Sequence, residues 1–277
     1  MALRVAALIA ASTLLFACVK AKPAEPRAGC GSCHAPHYVE IAACAECHRG
    51  QPTAARKELA HARLLSGRVA EYVLTSAKAV SEGRQLVEAA ACRRCHAIGG
   101  QGNLLATNLD NVVSNREQRE LMASITEPVE NMPVFAFERG QAEAVVAFLL
   151  NSARPDPAEE TYRVQFTREA ARAPSVFDEK CGGCHRRLTP LGPEGSGKDG
   201  PNLSGLLTPF YPKTAPGNQA WSREALAAWI ANPRAFRPNT LMPPVSMSRE
   251  DIQQIIDRAE GGGGSVRASS RVGSTPR

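Results

Sequence analysis

The chain has 277 residues, carries 33 Lys+Arg against 27 Asp+Glu for a formal net charge of +6, and is only 5% aromatic. That length allows one large domain or two to three small ones, at about 100–200 residues each. The composition excludes a collagen, a wholly disordered chain and a multi-span membrane protein, and so few aromatic rings leave the core to small aliphatics or to a group the chain does not encode.

Residues 2–19 are apolar apart from Arg4, Ser12 and Thr13, with one positive charge ahead of a run ending at Phe16. This is the shape of a secretory signal. Leu15-Phe16-Ala17-Cys18 resembles a bacterial lipoprotein signal, which implies removal of residues 1–17 and acylation of Cys18. An uncleaved anchor helix and a plain signal are the alternatives. All three put the folded part outside the cytoplasm, and the lipoprotein resemblance, with Val19 rather than Asp after the cysteine, favours the outer membrane. Residues 18–28 contain two prolines and no periodicity and read as a tether.

The other eight cysteines form four pairs, each followed by a histidine: Cys30-Gly-Ser-Cys33-His34, Cys44-Ala-Glu-Cys47-His48, Cys92-Arg-Arg-Cys95-His96 and Cys181-Gly-Gly-Cys184-His185. C-x-x-C-H is the attachment motif for c-type haem, in which two thiols add across the vinyl groups and the histidine binds iron. Zinc held by Cys30, Cys33, Cys44 and Cys47, or four disulfides in an exported chain, are the competing readings. Neither explains a histidine after every pair. Four covalent haems also answer the aromatic deficit. They would bring about −4 in charge, from two propionates and one ferric centre each, so the holoprotein is near neutral and the basic chain is no sign of nucleic acid.

Three regions follow. Residues 29–80 hold two motifs with nine residues between His34 and Cys44, too few for a domain, so their haems are close neighbours. From Thr53 onward Leu65, Val69, Tyr72 and Val73 fall at helical spacing, with His61 on the same face, which predicts one long helix. Residues 81–153 open on a helix over 82–91, continue through Gly99, Gly100 and Gly102 in a loop reaching Asn131-Met132-Pro133, and close on an apolar helix over 142–150. A breaker-rich linker follows. Residues 158–260 repeat the plan: Val176–Lys180 leads into Cys181, a Gly/Pro loop carries Gly200-Pro201-Asn202-Leu203, a helix over 222–231 is capped by Ser222, and a last helix runs from Ser248 to about Ala259. Residues 261–277 have no periodicity and are expected to be disordered, unless Gly261–Ser265 is an engineered linker.

Regions 81–153 and 158–260 resemble class I cytochrome c domains. Each has a helix before its motif, a Gly/Pro loop, a Met-Pro pair (Met132, 36 residues after His96, and Met242, 57 after His185) and a closing helix. Gly200-Pro201-Asn202-Leu203 makes the resemblance closer in the last region; the middle one has Thr107-Asn108-Leu109. The resemblance implies Met132 and Met242 as axial ligands, and the Pro201 carbonyl as acceptor for the His185 ring N–H. Region 29–80 resembles the di-haem pieces of multihaem cytochromes. The expected fold is all-α: two cytochrome c domains in tandem behind a di-haem module with little regular structure beyond its long helix.

An electron-transferring haem usually carries two protein ligands. Six histidines less the proximal His34, His48, His96 and His185 leave His37 and His61, both in the region where two irons lack a methionine. Three residues span at most about 10 Å, too little to pass comfortably from His34 round a haem edge. His37 therefore falls to the second haem and His61 to the first. A loop residue and a core histidine are the bland alternatives, as core packing is for the methionines; Met122 and Met247 read as packing. The whole is expected to be a membrane-anchored tetrahaem electron carrier without catalysis. Its partners would be a quinol-oxidising complex or other cytochromes. The alternatives are a haem enzyme, of di-haem peroxidase or sulfur-compound dehydrogenase type, and a haem subunit of a larger quinol-linked complex.

Overall fold

A computed structural model describes residues 29–129, 131–156 and 174–260. The expected signal, Cys18, the tether and the C-terminal tail lie outside the described residues. The described part is mostly helical. In chain order the α-helices are α1 Cys44–His48, α2 Lys57–Ala60, α3 Lys78–Ala89, α4 Leu109–Val112, α5 Gln118–Thr126, α6 Arg139–Ser152, α7 Val176–Lys180, α8 Arg223–Ala231, α9 Pro233–Phe236 and α10 Arg249–Glu260.

The centre of the first core is α6, buried at Ala142 and from Ala144 through Leu150. A helix apolar on all sides needs neighbours all round. It has α3 and α5 from its own region, and Leu65, Val69 and Ala70 from the first region complete the same cluster. Polar bonds follow the apolar contact. Arg68 Nη1 donates to the Gly140 carbonyl at 2.8 Å and Nη2 to Glu82 at 2.6 Å, and Asn151 Nδ2 donates to the Tyr72 carbonyl at 2.7 Å. The first region thus leans on the core of the region that follows it.

The long helix expected after Thr53 does not form. After α2 the chain turns at Arg63, with φ at 56°, and resumes only as a 3-10 segment over Gly67–Val73. The Leu65 N–H, which a continuous helix would give to His61, goes instead to the His48 carbonyl at 2.8 Å. Two helices also stand in what reads as a loop between Gly102 and Asn131. In α5 the buried Leu121 and Ile125 are four residues apart, and the Glu120 carboxylate accepts the Glu117 N–H at 3.3 Å.

The last region has its own core of Leu206, Tyr211, Leu226, Ile230 and Ile256. Its helix starts are capped as the sequence signals: Ser222 Oγ accepts from Ala225 N at 3.1 Å, and Ser248 and Asp251 exchange two bonds of 3.0 Å. The Gly/Pro loop also contains an antiparallel hairpin, β1 Arg187–Thr189 with β2 Gly192–Glu194. Thr189-Pro-Leu-Gly192 turns it, with Thr189 Oγ1 donating to the Gly192 carbonyl at 2.9 Å. Arg187 and Glu194 pair inside at 2.6 Å, and Arg258 of α10 reaches the same carboxylate. Burial pushes the Glu194 pKa up, but the two guanidiniums outweigh it and hold it below the usual range.

The tightest helix contact lies at Gly83. A β-carbon there would sit 1.9 Å from the Ala144 carbonyl oxygen and 2.8 Å from Phe148 Cβ. Gly83→Ala is therefore expected to destabilise the shared core by about 1–3 kcal/mol despite the higher helix propensity of alanine, read as a lower denaturant midpoint; an unchanged or raised midpoint would contradict this packing.

Candidate functional site: four Cys-Cys-His turns

Each motif is a single helical turn. The His34 N–H donates to the Cys30 carbonyl at 3.0 Å, His96 to Cys92 at 3.1 Å and His185 to Cys181 at 2.9 Å, while Cys44–His48 is itself α1. One turn puts residues i and i+3 on one face with i+4 beside them, so both thiols and the imidazole of each motif front the same space. All eight cysteines are free thiols, which leaves the disulfide alternative unformed.

Three of the four imidazoles are held by a backbone carbonyl. The Nδ1–H of His48 donates to Leu65 at 2.9 Å, that of His96 to Thr107 at 2.7 Å, and that of His185 to Pro201 at 2.9 Å. A carbonyl can only accept, so the bond fixes the proton on Nδ1 and leaves a lone pair on Nε2. Burial lowers the His96 pKa, the Thr107 contact opposing, which favours the neutral ring. The Pro201 contact has a sequence signature. Those of Leu65 and Thr107 do not, although Asn108 and Asn202 each accept an N–H two residues on, from Asp110 at 3.0 Å and Ser204 at 2.9 Å. Thr107-Asn108-Leu109 and Pro201-Asn202-Leu203 are thus the same turn.

Glycines let loops close over the motifs. A β-carbon on Gly102 would lie 2.1 Å from the His96 carbonyl oxygen, on Gly195 2.2 Å from that of His185, and on Gly200 2.3 Å from His185 Cε1. Burial pushes the Cys92 thiol up to about 11 and raises Cys95 and Cys181, nearby arginines opposing. No cluster of three or more His, Cys, Asp or Glu among the described residues is arranged to hold a metal ion. A thiol pair on one turn, with a bare imidazole nitrogen beside it, fits covalent haem.

The two remaining histidines come to the first two motifs. His37 Nε2 stands 3.4 Å from His48 Nε2, with the rings 5.5 Å apart, and the His61 ring lies 6.0 Å from that of His34. Met242 packs on the last core, its sulfur accepting the Trp229 indole N–H at 3.0 Å. Met132 stands at the seam of the second and third regions, on the wall of a cavity of about 910 Å³ that also borders Gly182, Gly183 and Arg186. Met122 and Met247 lie against the two cores.

Residues 78–149 match the family model described as Cytochrome C oxidase, cbb3-type, subunit III. The match spans about a quarter of the chain and covers the third motif and the crossing of α3 and α6. No curated protein and no solved structure matches. The match supports a c-type cytochrome: a mostly helical domain with covalently bound haem c that serves electron transfer.

Gly200→Ala is expected to push the His185 ring off the Pro201 carbonyl. In the holoprotein this should change the visible and EPR signature of a haem held at Cys181 and Cys184 and leave any other haem signature as in the unsubstituted protein. Unaltered spectra would mean that this ring does not serve a haem as placed.

Proposed function

We propose that the protein is a tetrahaem c-type cytochrome that transfers electrons, tethered to a membrane through acylated Cys18. Each Cys pair would hold one haem by two thioether bonds, with His34, His48, His96 and His185 as proximal ligands. Haem supplies one-electron redox chemistry at potentials tuned by its axial ligands. The protein's part is to fix those ligands and exclude water. The observation that carries the reading is the pairing of histidines: His37 Nε2 faces His48 Nε2 at 3.4 Å, close to the roughly 4 Å that two metal–nitrogen bonds of about 2 Å span. His61 beside His34 makes the second such pair. Those two pairs give His34/His61 and His48/His37 in the di-haem module; His96/Met132 and His185/Met242 follow from the family resemblance alone, and Met132 stands on the cavity bordered by Gly182 and Gly183 of the fourth motif. The partners are other redox proteins in an envelope respiratory chain. A haem subunit of a larger complex is the second reading, favoured by the oxidase-subunit description of the matched family. Copurification of an integral membrane subunit would favour it over a free carrier.

Mass spectrometry of the mature protein is expected to give four haem additions per chain; a count below three would overturn the tetrahaem reading.

Two imidazoles favour ferric iron, and replacing one by a thioether favours the ferrous state. The His/His pair of haems should therefore titrate at low potential and the His/Met pair at high potential. Low potential beside the tether and high potential towards the C-terminus gives electron flow a direction along the chain. Met242→His is expected to lower one high-potential step and leave the low pair in place. A shift in a low-potential step, or a wild-type titration without two groups, would refute this order.

A further inference from the structure

Asn202 holds three structures at once. Its peptide nitrogen is bonded to Pro201, whose carbonyl accepts the His185 ring. Its own carbonyl accepts Arg94 Nη1 at 3.1 Å and the Tyr211 hydroxyl at 3.2 Å. Its Nδ2 donates to the Asn131 carbonyl at 3.0 Å, beside Met132. Arg94 lies inside the third motif, between Cys92 and Cys95. One residue of the last region therefore touches both the third motif and the segment that carries Met132.

The contacts around it are close and specific. The Arg94 guanidinium lies over the Tyr211 ring at 5.6 Å. Asn103 Nδ2 donates to the Arg94 carbonyl at 2.9 Å and to Thr208 Oγ1 at 3.0 Å. The buried Ser204 accepts the Leu188 N–H at 2.8 Å. Gly205, at φ +70°, lets the backbones approach; a β-carbon there would lie 2.6 Å from the Arg94 carbonyl oxygen. In the equivalent turn of the middle region Asn108 is almost wholly buried, at 1% exposure. In the last region the same position faces across the seam.

We propose that Asn202 and Arg94 form a positioning junction that locks the third motif, the Met132 segment and the His185 support into one body, so that the haem sites of the two domains share their ligand geometry. The proposal rests on the haem assignment above, yet part of its test does not. Asn202→Asp keeps the oxygen that accepts from Ser204 and removes the donor to Asn131. Arg94→Met keeps a stem over Tyr211 and removes the donor to Asn202.

Both tryptophans, Trp221 and Trp229, lie in the last region, so their fluorescence follows that region while far-UV circular dichroism follows the helices of both. In the wild-type holoprotein the two unfolding transitions are expected to coincide. In each variant they should separate, as loss of the bonds weakens docking about five- to thirtyfold. Coincident transitions in both variants, or separate ones already in the wild type, would overturn the junction. The second readout is potentiometric. Asn202→Asp should move both high-potential steps, including the one Met242→His leaves alone; movement of only the Met242-sensitive step would reduce Asn202 to a local support of His185. A wild type without two high-potential steps would sink the ligand assignment instead, and the unfolding comparison would still decide the junction.

Discussion

A histidine ring held by one backbone carbonyl is the contact around which much of this chain is arranged. An imidazole is useful to a haem only if it presents the right nitrogen at a fixed angle, and a carbonyl partner on the opposite nitrogen sets both. The three carbonyls come from different places: Leu65 ahead of a 3-10 segment, Thr107 ahead of α4, and Pro201 after a glycine that leaves room for the ring. Each is delivered by a loop that returns to its motif after 11 to 17 residues. The loops are short, and the closure entropy of such lengths is modest. The glycines at 102, 195 and 200 mark where the returning chain would otherwise collide with the motif.

The same requirement accounts for the main departure from the sequence-based expectation. Leu65, Val69, Tyr72 and Val73 carry true helical spacing, and Leu65 and Val69 are wholly buried. A continuous helix would tie up the Leu65 N–H and carbonyl within itself. Instead both face His48, the N–H on its carbonyl and the carbonyl on its ring. Two tertiary bonds to a motif outweigh the helical bonds they replace, and the apolar face is kept by a tighter 3-10 winding.

The four motifs, the caps at Ser222 and Ser248 and the apolar helix around Val145 were legible because each depends on neighbours in sequence. The Leu65 and Thr107 carbonyls were not, since a backbone oxygen has no residue identity to read. Thr107-Asn108-Leu109 makes the point. It lacks the Gly-Pro that made the last region the closer resemblance, yet it builds the same asparagine turn and supports its histidine at 2.7 Å. The family match falls on this region. Nor did periodicity tell where the face of Val69 would pack; that it completes the core around α6 is a tertiary fact.

That shared core also carries the first region. The region's two histidine pairs come from the irregular chain after a 3-10 turn, a five-residue helix and the end of a four-residue helix, none of these elements with a buried residue of its own. Tyr38, Val39 and Ile41 beside His37 are exposed. Elements this short cannot hold themselves together in water. Their order is borrowed from Leu65, Val69 and Ala70, which anchor in the next region, and from Arg49, whose guanidinium reaches the Ser114 carbonyl at 3.0 Å. Local stability should therefore be lowest around His34 and His37 and highest along α6, the part of the chain on which both neighbouring sites depend. Two haems held here by four thioethers would supply the apolar surface that the region's own residues around His34 and His37 omit.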